Sequence, residues 1–241
     1  MRLAAVLPIA LFLVAATPTD RGPGIAPQPR GGTMVYAADG FDKVGLGTGA
    51  TVAVRVGPAW SVEASGPPAA FANLRIARDG RSLEIGRRLR DRRADAALER
   101  QVRIAITMPR IAAGAVGGSG RMIVDRVTGD RFDAAVGGSG SLALDGVAAR
   151  DLHVAVGGSG SVSAKGRAER LQASVGGSGG VDAPGLRAAS ATVSIGGSGS
   201  VSAHVAGPAI VSVAGSGDVD LGPAARCTTS RFGSGRVRCG G

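Results

Sequence analysis

The carboxylates in the C-terminal half of this chain are the residues with the clearest potential for chemistry. Cleavage of a glycosidic bond needs two carboxylates at one site. Asp125, Asp145, Asp182 and Asp220 alternate with apolar residues, as outward-facing side chains of a strand would. They are scattered along the chain, and Ser, Lys or His stands at equivalent positions elsewhere. We therefore expect no catalytic pair, and the sequence favours a protein that is not an enzyme.

The sequence also contains few residues that could bind a metal ion or act as a nucleophile. A metal site needs clustered His, Cys or carboxylate ligands, whereas the two histidines, His153 and His204, have no partner close in sequence. The Gly-Ser-Gly strings resemble a calcium-binding nonapeptide, but Leu142 or Val162 stands where that motif needs Asp. Their serines have no accompanying base that could activate a nucleophile. We expect no catalytic residue, no metal site and no cofactor.

The Gly-Ser-Gly strings recur with a nearly fixed period. A flexible linker has no reason to keep a period, and a phosphate-binding glycine loop occurs once. The intervals are 20, 20, 19, 20, 18 and 18 residues between Ser119, Ser139, Ser159, Ser178, Ser198, Ser216 and Ser234. Seven copies at this spacing predict a solenoid.

Apolar residues alternate with small or polar residues on both sides of each serine. The residue three positions before the serine is Val or Ile from Val116 to Val213, and the residue three positions after it is apolar from Met122 to Val237. Period-two alternation around a turn predicts two half-buried strands per repeat. Each strand would pair with its equivalent in the next coil, ~4.8 Å away. The sequence therefore predicts an all-β fold with a parallel β-helix over residues 111–241.

The strings themselves would form the corners of this β-helix. Glycine permits positive φ and the close approach of adjacent coils, and stacked serines could share hydrogen bonds. We assign a structural role to Gly118, Ser119, Gly120, Gly138, Ser139, Gly140, Gly158, Ser159, Gly160, Gly177, Ser178, Gly179, Gly197, Ser198, Gly199, Gly215, Ser216 and Gly217.

The two cysteines, Cys227 and Cys239, fall in inward columns of the last coil. A disulfide is the expected state of two cysteines in an exported chain. Thr229 and Arg231 replace apolar residues in the same coil, as at the open end of a solenoid that needs a cap. We predict a disulfide that acts as a C-terminal cap.

The N-terminal part has no fixed period. Residues 1–16 carry a basic residue, an apolar run and a small-residue end, which predicts a signal peptide. The Pro- and Gly-rich residues 17–35 predict a disordered lead, and residues 36–110 predict a β-rich part. This part is either an irregular start of the same sheets or a small abutting β-domain. No other apolar run reaches ~20 residues, so we expect no transmembrane segment in the mature chain. The expected location is the periplasm or the surface of a bacterium.

An arginine-rich segment interrupts the N-terminal part, and the formal net charge of the chain is +10. The segment is either an anion-binding patch or a solvated loop or short surface helix. The anionic partners expected of an exported protein are envelope glycans or lipids, and another surface protein is the alternative. No nucleic acid is expected, because no aromatic residue separates the arginines to stack on bases. The candidate patch comprises Arg87, Arg88, Arg90, Arg92, Arg93 and Arg100.

The order of short motifs over residues 36–241 carries a family resemblance. "FDKVGLGTGATVAV" leads into "WSVEASG", then "SLEIG" and "VRIAITMP", and finally the repeated Gly-Ser-Gly-x-Val. This layout resembles the bacterial family of auto-transporter adhesin head GIN domains. The resemblance implies an exported, right-handed β-helix and offers no catalytic residues to carry over. The arginine-rich segment matches none of the shared motifs.

Together these features favour a non-catalytic envelope or cell-surface protein, an adhesin-like or envelope-organising binding scaffold. The alternative is a periplasmic carbohydrate-active protein that binds or cleaves an acidic polysaccharide on a β-helix face.

Overall fold

A computed structural model of the chain describes residues 24–88 and 96–240. The signal peptide expected over residues 1–16 lies outside the described residues. The chain forms a β-solenoid of about six turns with a coil spacing of about 20 residues. This confirms the fold class predicted from the repeat, whereas the right-handed twist of the coils stays a prediction. Seven Gly-Ser-Gly corners enclose these six turns.

In the described residues before the first Gly-Ser-Gly corner there are nine strands and two four-residue helices. They are β1 (Pro27–Arg30), β2 (Thr33–Tyr36), β3 (Lys43–Leu46), β4 (Thr51–Val56), β5 (Ser61–Ser65), α1 (Pro68–Phe71), β6 (Leu74–Asp79), β7 (Ser82–Arg87), α2 (Ala96–Glu99), β8 (Arg103–Met108) and β9 (Ala113–Val116).

Ten strands follow, several of them long enough to bend through most of a coil. They are β10 (Arg121–Val124), β11 (Val127–Val136), β12 (Ser141–Val156), β13 (Ser161–Val175), β14 (Gly180–Gly197), β15 (Ser200–Val205), β16 (Pro208–Gly215), β17 (Asp218–Asp220), β18 (Arg226–Phe232) and β19 (Val237–Arg238).

Equivalent strand segments of successive coils pair in parallel and build three stacks. The first stack begins after each corner serine, where Leu142 pairs with Val162. The second stack is shorter and includes the pairing of Val127 with Val147. The third stack runs into the next corner and aligns Val175 with Ile195. Residues that are one coil length apart in the sequence are therefore paired in adjacent strands of a stack.

The core lies between the stacks and consists of the predicted inward columns. Because the coils are in register, like residues stack on like, and Phe132, Leu142 and Val162 are each fully buried. The residues of these columns are buried in every coil except the last, where Cys227, Val237 and Cys239 are only partly buried. The period-two alternation therefore identified the buried side of each strand correctly.

The strands of residues 36–110 continue the stacks at their N-terminal end. β3 pairs in parallel with β9, and β4 pairs in parallel with β10. Beyond them the pairing becomes antiparallel, between β6 and β7, β5 and β8, and β2 and β5. The side chains of both parts share one apolar core. This N-terminal part is therefore an irregular start of the same sheets.

Part of the segment expected to be a disordered lead is ordered. β1 and β2 form an antiparallel hairpin around Gly31 and Gly32, which have φ values of +53° and +85°. β2 also pairs with β5, and Tyr36 at its end is 4% exposed. The sequence-based expectation missed that the residues beside the turn find partner strands, so it is wrong for residues 27–35.

The corner glycines are required mainly by close contact between coils. Gly197 has a φ of +137°, as expected for a corner that only glycine adopts readily. Gly138, however, does not have a positive φ, and an added Cβ there would collide with the backbone of the preceding coil. The corner serines are exposed, and Ser216 and Ser234 share a hydroxyl hydrogen bond of 3.2 Å.

The last coil is closed as predicted by a disulfide between Cys227 and Cys239, whose Cα atoms are 6.2 Å apart. Arg231 in the same coil donates a hydrogen bond of 3.1 Å to the carbonyl oxygen of Gly235. The polar side chain thus folds over the end of the core instead of entering it.

Candidate binding surface

The outward side of the third stack carries a charged ladder, a row of side-chain contacts that crosses several coils. Arg131 contacts Asp133 at 2.8 Å on β11, and Asp133 lies 3.7 Å from the ring of His153 in the next coil. Arg170 pairs with Asp151 across the following step, with Nη2 at 2.7 Å from Oδ2. A single exposed ion pair contributes little to the stability of the fold. We therefore regard the ladder mainly as a charged surface.

The outward side of the first stack carries a polar groove at its C-terminal end. We call it the terminal groove; its volume is about 210 Å³. Strands β15, β17 and β19 position its side chains, because alternate residues of each strand point away from the core. Its polar lining consists of Ser200, Ser202, Asp218, Asp220, Arg236 and Arg238.

The groove contains two carboxylates, and coil register places a third one in line with it. Asp218 and Asp220 lie on the same face of β17, and Asp182, two coils away from Asp220, occupies the same column with Ser202 between them. The Ser202 hydroxyl donates a hydrogen bond of 3.1 Å to Asp182. The sequence made these aspartates look scattered, whereas a difference of 18 or 20 residues is one coil step.

The charges inside the terminal groove are partly paired. The backbone N–H of Arg236 donates to Asp218 at 3.0 Å, and its guanidinium lies 3.3 Å from the same carboxylate. These hydrogen bonds hold the pKa of Asp218 below its ordinary value. Asp220 accepts a hydrogen bond of 3.0 Å from the backbone N–H of Gly222. The groove therefore offers ionised acceptors, hydroxyls and guanidinium donors to a ligand.

Proton-donor chemistry would require a carboxyl group with a raised pKa. In residues 24–88 and 96–240 the carboxyl group with a raised pKa is that of Glu84, on β7 at the opposite end of the molecule. Burial is the main cause and repulsion by Asp79 adds to it. Asp218, in contrast, stays ionised. The arrangement in the terminal groove thus suits binding through charge and hydrogen bonds.

The arginine-rich segment does not form one free patch in the described residues. Arg87 pairs with Glu99, with Nη2 at 2.8 Å from Oε2, and the same carboxylate accepts a bond of 2.9 Å from the N–H of Gly49. Arg87 and Gly49 thereby hold α2 against the turn between β3 and β4. Arg88 and Arg100 are exposed. Arg90, Arg92 and Arg93 lie outside the described residues.

A buried aspartate with two exposed arginine partners at the N-terminal end was not anticipated from the sequence. Asp42 is 5% exposed and pairs with Arg81 and with Arg110, the latter at 3.0 Å. The partners are about 40 and 70 residues away from it, and no motif marks them. Since a buried charge needs a partner, these pairs serve the structure.

The histidines lie at outward positions, as predicted. His204 Nδ1 is 2.6 Å from the carbonyl oxygen of Pro184, and His153 lies in the charged ladder beside Asp133. Across the described ranges, no three His, Cys, Asp or Glu side chains are arranged to hold a metal ion. Neither described helix has the length and apolar character needed to cross a membrane.

Comparison with solved structures finds the same fold. A "putative adhesin" from Bacteroides fragilis has a TM-score of 0.74 and 21% identity, covering 86% of this chain and 95% of its own. A "putative lipid binding protein" from Parabacteroides distasonis has a TM-score of 0.69 and 19% identity, covering 88% and 96%. A "putative adhesin" from Parabacteroides merdae has a TM-score of 0.65 and 16% identity, covering 86% and 95%.

No curated protein matches the sequence. The family model that matches is described as "Putative auto-transporter adhesin, head GIN domain", and the match extends over residues 40–223. This range includes β3 to β17 and six of the seven Gly-Ser-Gly corners. The chain therefore belongs to the family of auto-transporter adhesin head GIN domains, as its motif order indicated.

Proposed function

We propose that this protein is an exported, non-catalytic binding scaffold of the bacterial envelope or cell surface, with an adhesin-like role. The observation that carries the proposal is the combination of a parallel solenoid with polar outward columns, one of which includes the terminal groove. Such a rod holds ligand-contacting side chains on strands, where their positions are fixed by coil register. Family membership supports the adhesin-like part of the proposal.

Export is supported by two features of the chain. The first 16 residues have the pattern of a signal peptide, and the last coil is closed by a disulfide, which persists in oxidising compartments. The net charge of +10 favours anionic partners, such as envelope glycans or the headgroups of anionic lipids. Another surface protein is the remaining candidate partner.

Protease treatment of intact cells tests the location. Digestion of the protein without lysis, followed with an antibody, supports a surface adhesin. Protection until the outer membrane is opened supports an envelope-organising role in the periplasm. Recovery of the protein from the cytoplasm with its first 16 residues intact would overturn the proposed export.

Binding to the immobilised polysaccharides of the same envelope tests the partner class. We expect affinity to fall steadily as NaCl is raised from 50 to 500 mM, because exposed charges are screened. Affinity that is independent of salt would contradict an anionic partner.

The two carboxylates of the terminal groove, Asp218 and Asp220, favour one second candidate, a periplasmic carbohydrate-active protein that binds or cleaves an acidic polysaccharide. Asp218→Asn and Asp220→Asn separate the two proposals. An enzyme loses turnover of the polysaccharide in either variant, whereas a scaffold produces no shortened chains before or after the substitution.

A further inference from the structure

The last strand of the third stack has an open edge. β18 pairs in parallel with β16 over seven residue pairs, from Arg226 with Pro208 to Phe232 with Ala214. Within residues 24–88 and 96–240, β16 is the sole strand paired with β18. Six of the seven residues of β18 are exposed. A strand of this length offers an edge of about 23 Å to another chain.

The backbone groups that point to this edge can be assigned. The N–H of Arg226 donates to the carbonyl oxygen of Gly207 at 2.9 Å, toward the preceding coil. Successive residues of a strand direct their backbone groups to opposite sides. The N–H and C=O groups of Cys227, Thr229 and Arg231 therefore point away from β16, into the open edge.

The strand edges are protected at the N-terminal end of the solenoid but not at β18. At the N-terminal end, β1 contains Pro27 and Pro29, and proline at an edge blocks the addition of a further strand. The edge of β6 is covered in part by Ile25, whose N–H donates to the carbonyl oxygen of Ile76 at 2.8 Å. β18 contains no proline. The edge of β18 is thus left competent for pairing in the part of the chain that the structure describes.

Apolar side chains accompany the open edge. Phe232 on β18 is 77% exposed and Ile210 on β16 is 58% exposed. Ile210 is the register partner of Thr228, so it lies directly beside β18. Phe232 lies on the edge strand itself and can contact an added strand, whereas Ile210 lies one strand further from the edge.

The charge of this end selects among possible partners. Arg226, Arg231, Arg236 and Arg238 all lie in the last coil. Arg236 is paired with Asp218, whereas the described residues hold no carboxylate within ion-pair distance of Arg226 or Arg238. A second copy docked on the same edge would bring arginines against arginines, which disfavours self-pairing. An acidic strand would meet complementary charge.

We propose that the open edge of β18 is a docking site for an extended acidic segment of a partner protein, which adds as a strand. Main-chain hydrogen bonds to Cys227, Thr229 and Arg231 would provide affinity, and Arg226 and Arg231, the two arginines on β18 itself, would provide selectivity. This site lies at the end of the rod and not on its faces, so it can fail without affecting the proposed scaffold function.

The test is fluorescence anisotropy of a labelled eight-residue peptide of alternating glutamate and valine, titrated with the purified full chain. A peptide of the same length with lysine for glutamate tests charge. A third peptide, with the acidic sequence but N-methylated at alternate residues along one edge, tests main-chain pairing without altering the protein. We expect the acidic peptide to bind at least tenfold more tightly than either control.

Two variants at one position locate the site. Thr229→Pro removes an N–H that points into the open edge without removing a bond to β16, and we expect at least tenfold weaker binding of the acidic peptide. Thr229→Val keeps that N–H and is expected to bind as the unaltered chain does. Thermal unfolding of both variants checks that they are folded.

Several results would overturn the proposal. Equal binding of the acidic and N-methylated peptides would rule out strand addition, as would unchanged binding by a folded Thr229→Pro variant. Preference for the lysine peptide would rule out an acidic partner. Concentration-dependent dimers in sedimentation, abolished by Thr229→Pro, would assign the edge to a second copy of this chain instead.

Discussion

The carbonyl oxygen of Gly118 lies 2.5 Å from the position that a Cβ atom on Gly138 would occupy. Equivalent contacts recur from coil to coil, as between Gly158 and the carbonyl oxygen of Gly138 at 2.6 Å. Adjacent corners are therefore packed backbone against backbone, and only hydrogen fits at these positions.

Gly138→Val is expected to lower the free energy of unfolding by more than ~1 kcal/mol, because the side chain must push two coils apart. Thermal unfolding measures the loss. The matched control is Gly137→Ala in the same corner, where an added Cβ meets nothing within 4 Å. Equal melting temperatures for Gly138→Val and the unaltered chain would contradict the close packing of the corners.

Removing the disulfide is expected to destabilise the last coil. Cys227 and Cys239 are 12 residues apart in sequence, and closing a loop of this size stabilises a protein by about 3 kcal/mol on the chain-entropy model. Thermal unfolding of a Cys227→Ser, Cys239→Ser double variant measures the effect. The unaltered chain under reducing conditions should unfold at the same temperature as the double variant. A double variant as stable as the oxidised chain would show that the cap is dispensable.

Glu99→Gln is expected to destabilise the protein at neutral pH. Hydrogen bonds from Arg87 and from the backbone of Gly49 hold the pKa of Glu99 below its ordinary value of 4.5. The unfolded chain therefore takes up this proton more readily, so the stabilisation exists above pH 4.5 and is lost as the pH falls through the lower, folded-state pKa.

Urea unfolding at several pH values tests this expectation. The stability difference between Glu99→Gln and the unaltered chain should narrow as the pH falls below about 4.5. Glu169→Gln is the control, since Glu169 is an exposed residue whose nearest cation, Arg150, is 3.8 Å away. A difference that stays constant from pH 7 to pH 3 would contradict the ionic role of Glu99.

His153 is expected to make the solenoid less stable in mild acid. Burial, aided by Arg131, lowers the pKa of His153 from 6.5, and Asp133 and Asp151 oppose this shift only in part. The unfolded chain binds the proton first, so stability falls as the pH drops through 6.5 toward the folded-state pKa.

His153→Gln should remove this dependence, since Gln172 occupies the same column in the next coil and shows that glutamine fits there. The measurement is the melting temperature between pH 7.5 and pH 5. If the variant and the unaltered chain lose stability in parallel over this range, His153 is not the titrating group. His204→Gln, at an exposed outward position, serves as the control.

The repeat made most of the core predictable. Val136, Val156 and Val175 could be assigned to one buried column because their spacing repeats with that of the corner serines. A period fixes register along a solenoid, and period-two alternation fixes which side of each strand faces inward. The hairpin of β1 and β2 has no such period, so its partner, β5, could not be found from the sequence.

The sequence by itself thus determined the solenoid, its coil length, its inward columns and the pairing of its two cysteines. Only the tertiary structure decided which outward side chains meet: Asp218 with Arg236 in the terminal groove, and Arg87 with Glu99 at the opposite end. The reason is physical. A core column is set by a repeated local pattern, whereas an outward contact depends on which single residues the coil register happens to place side by side.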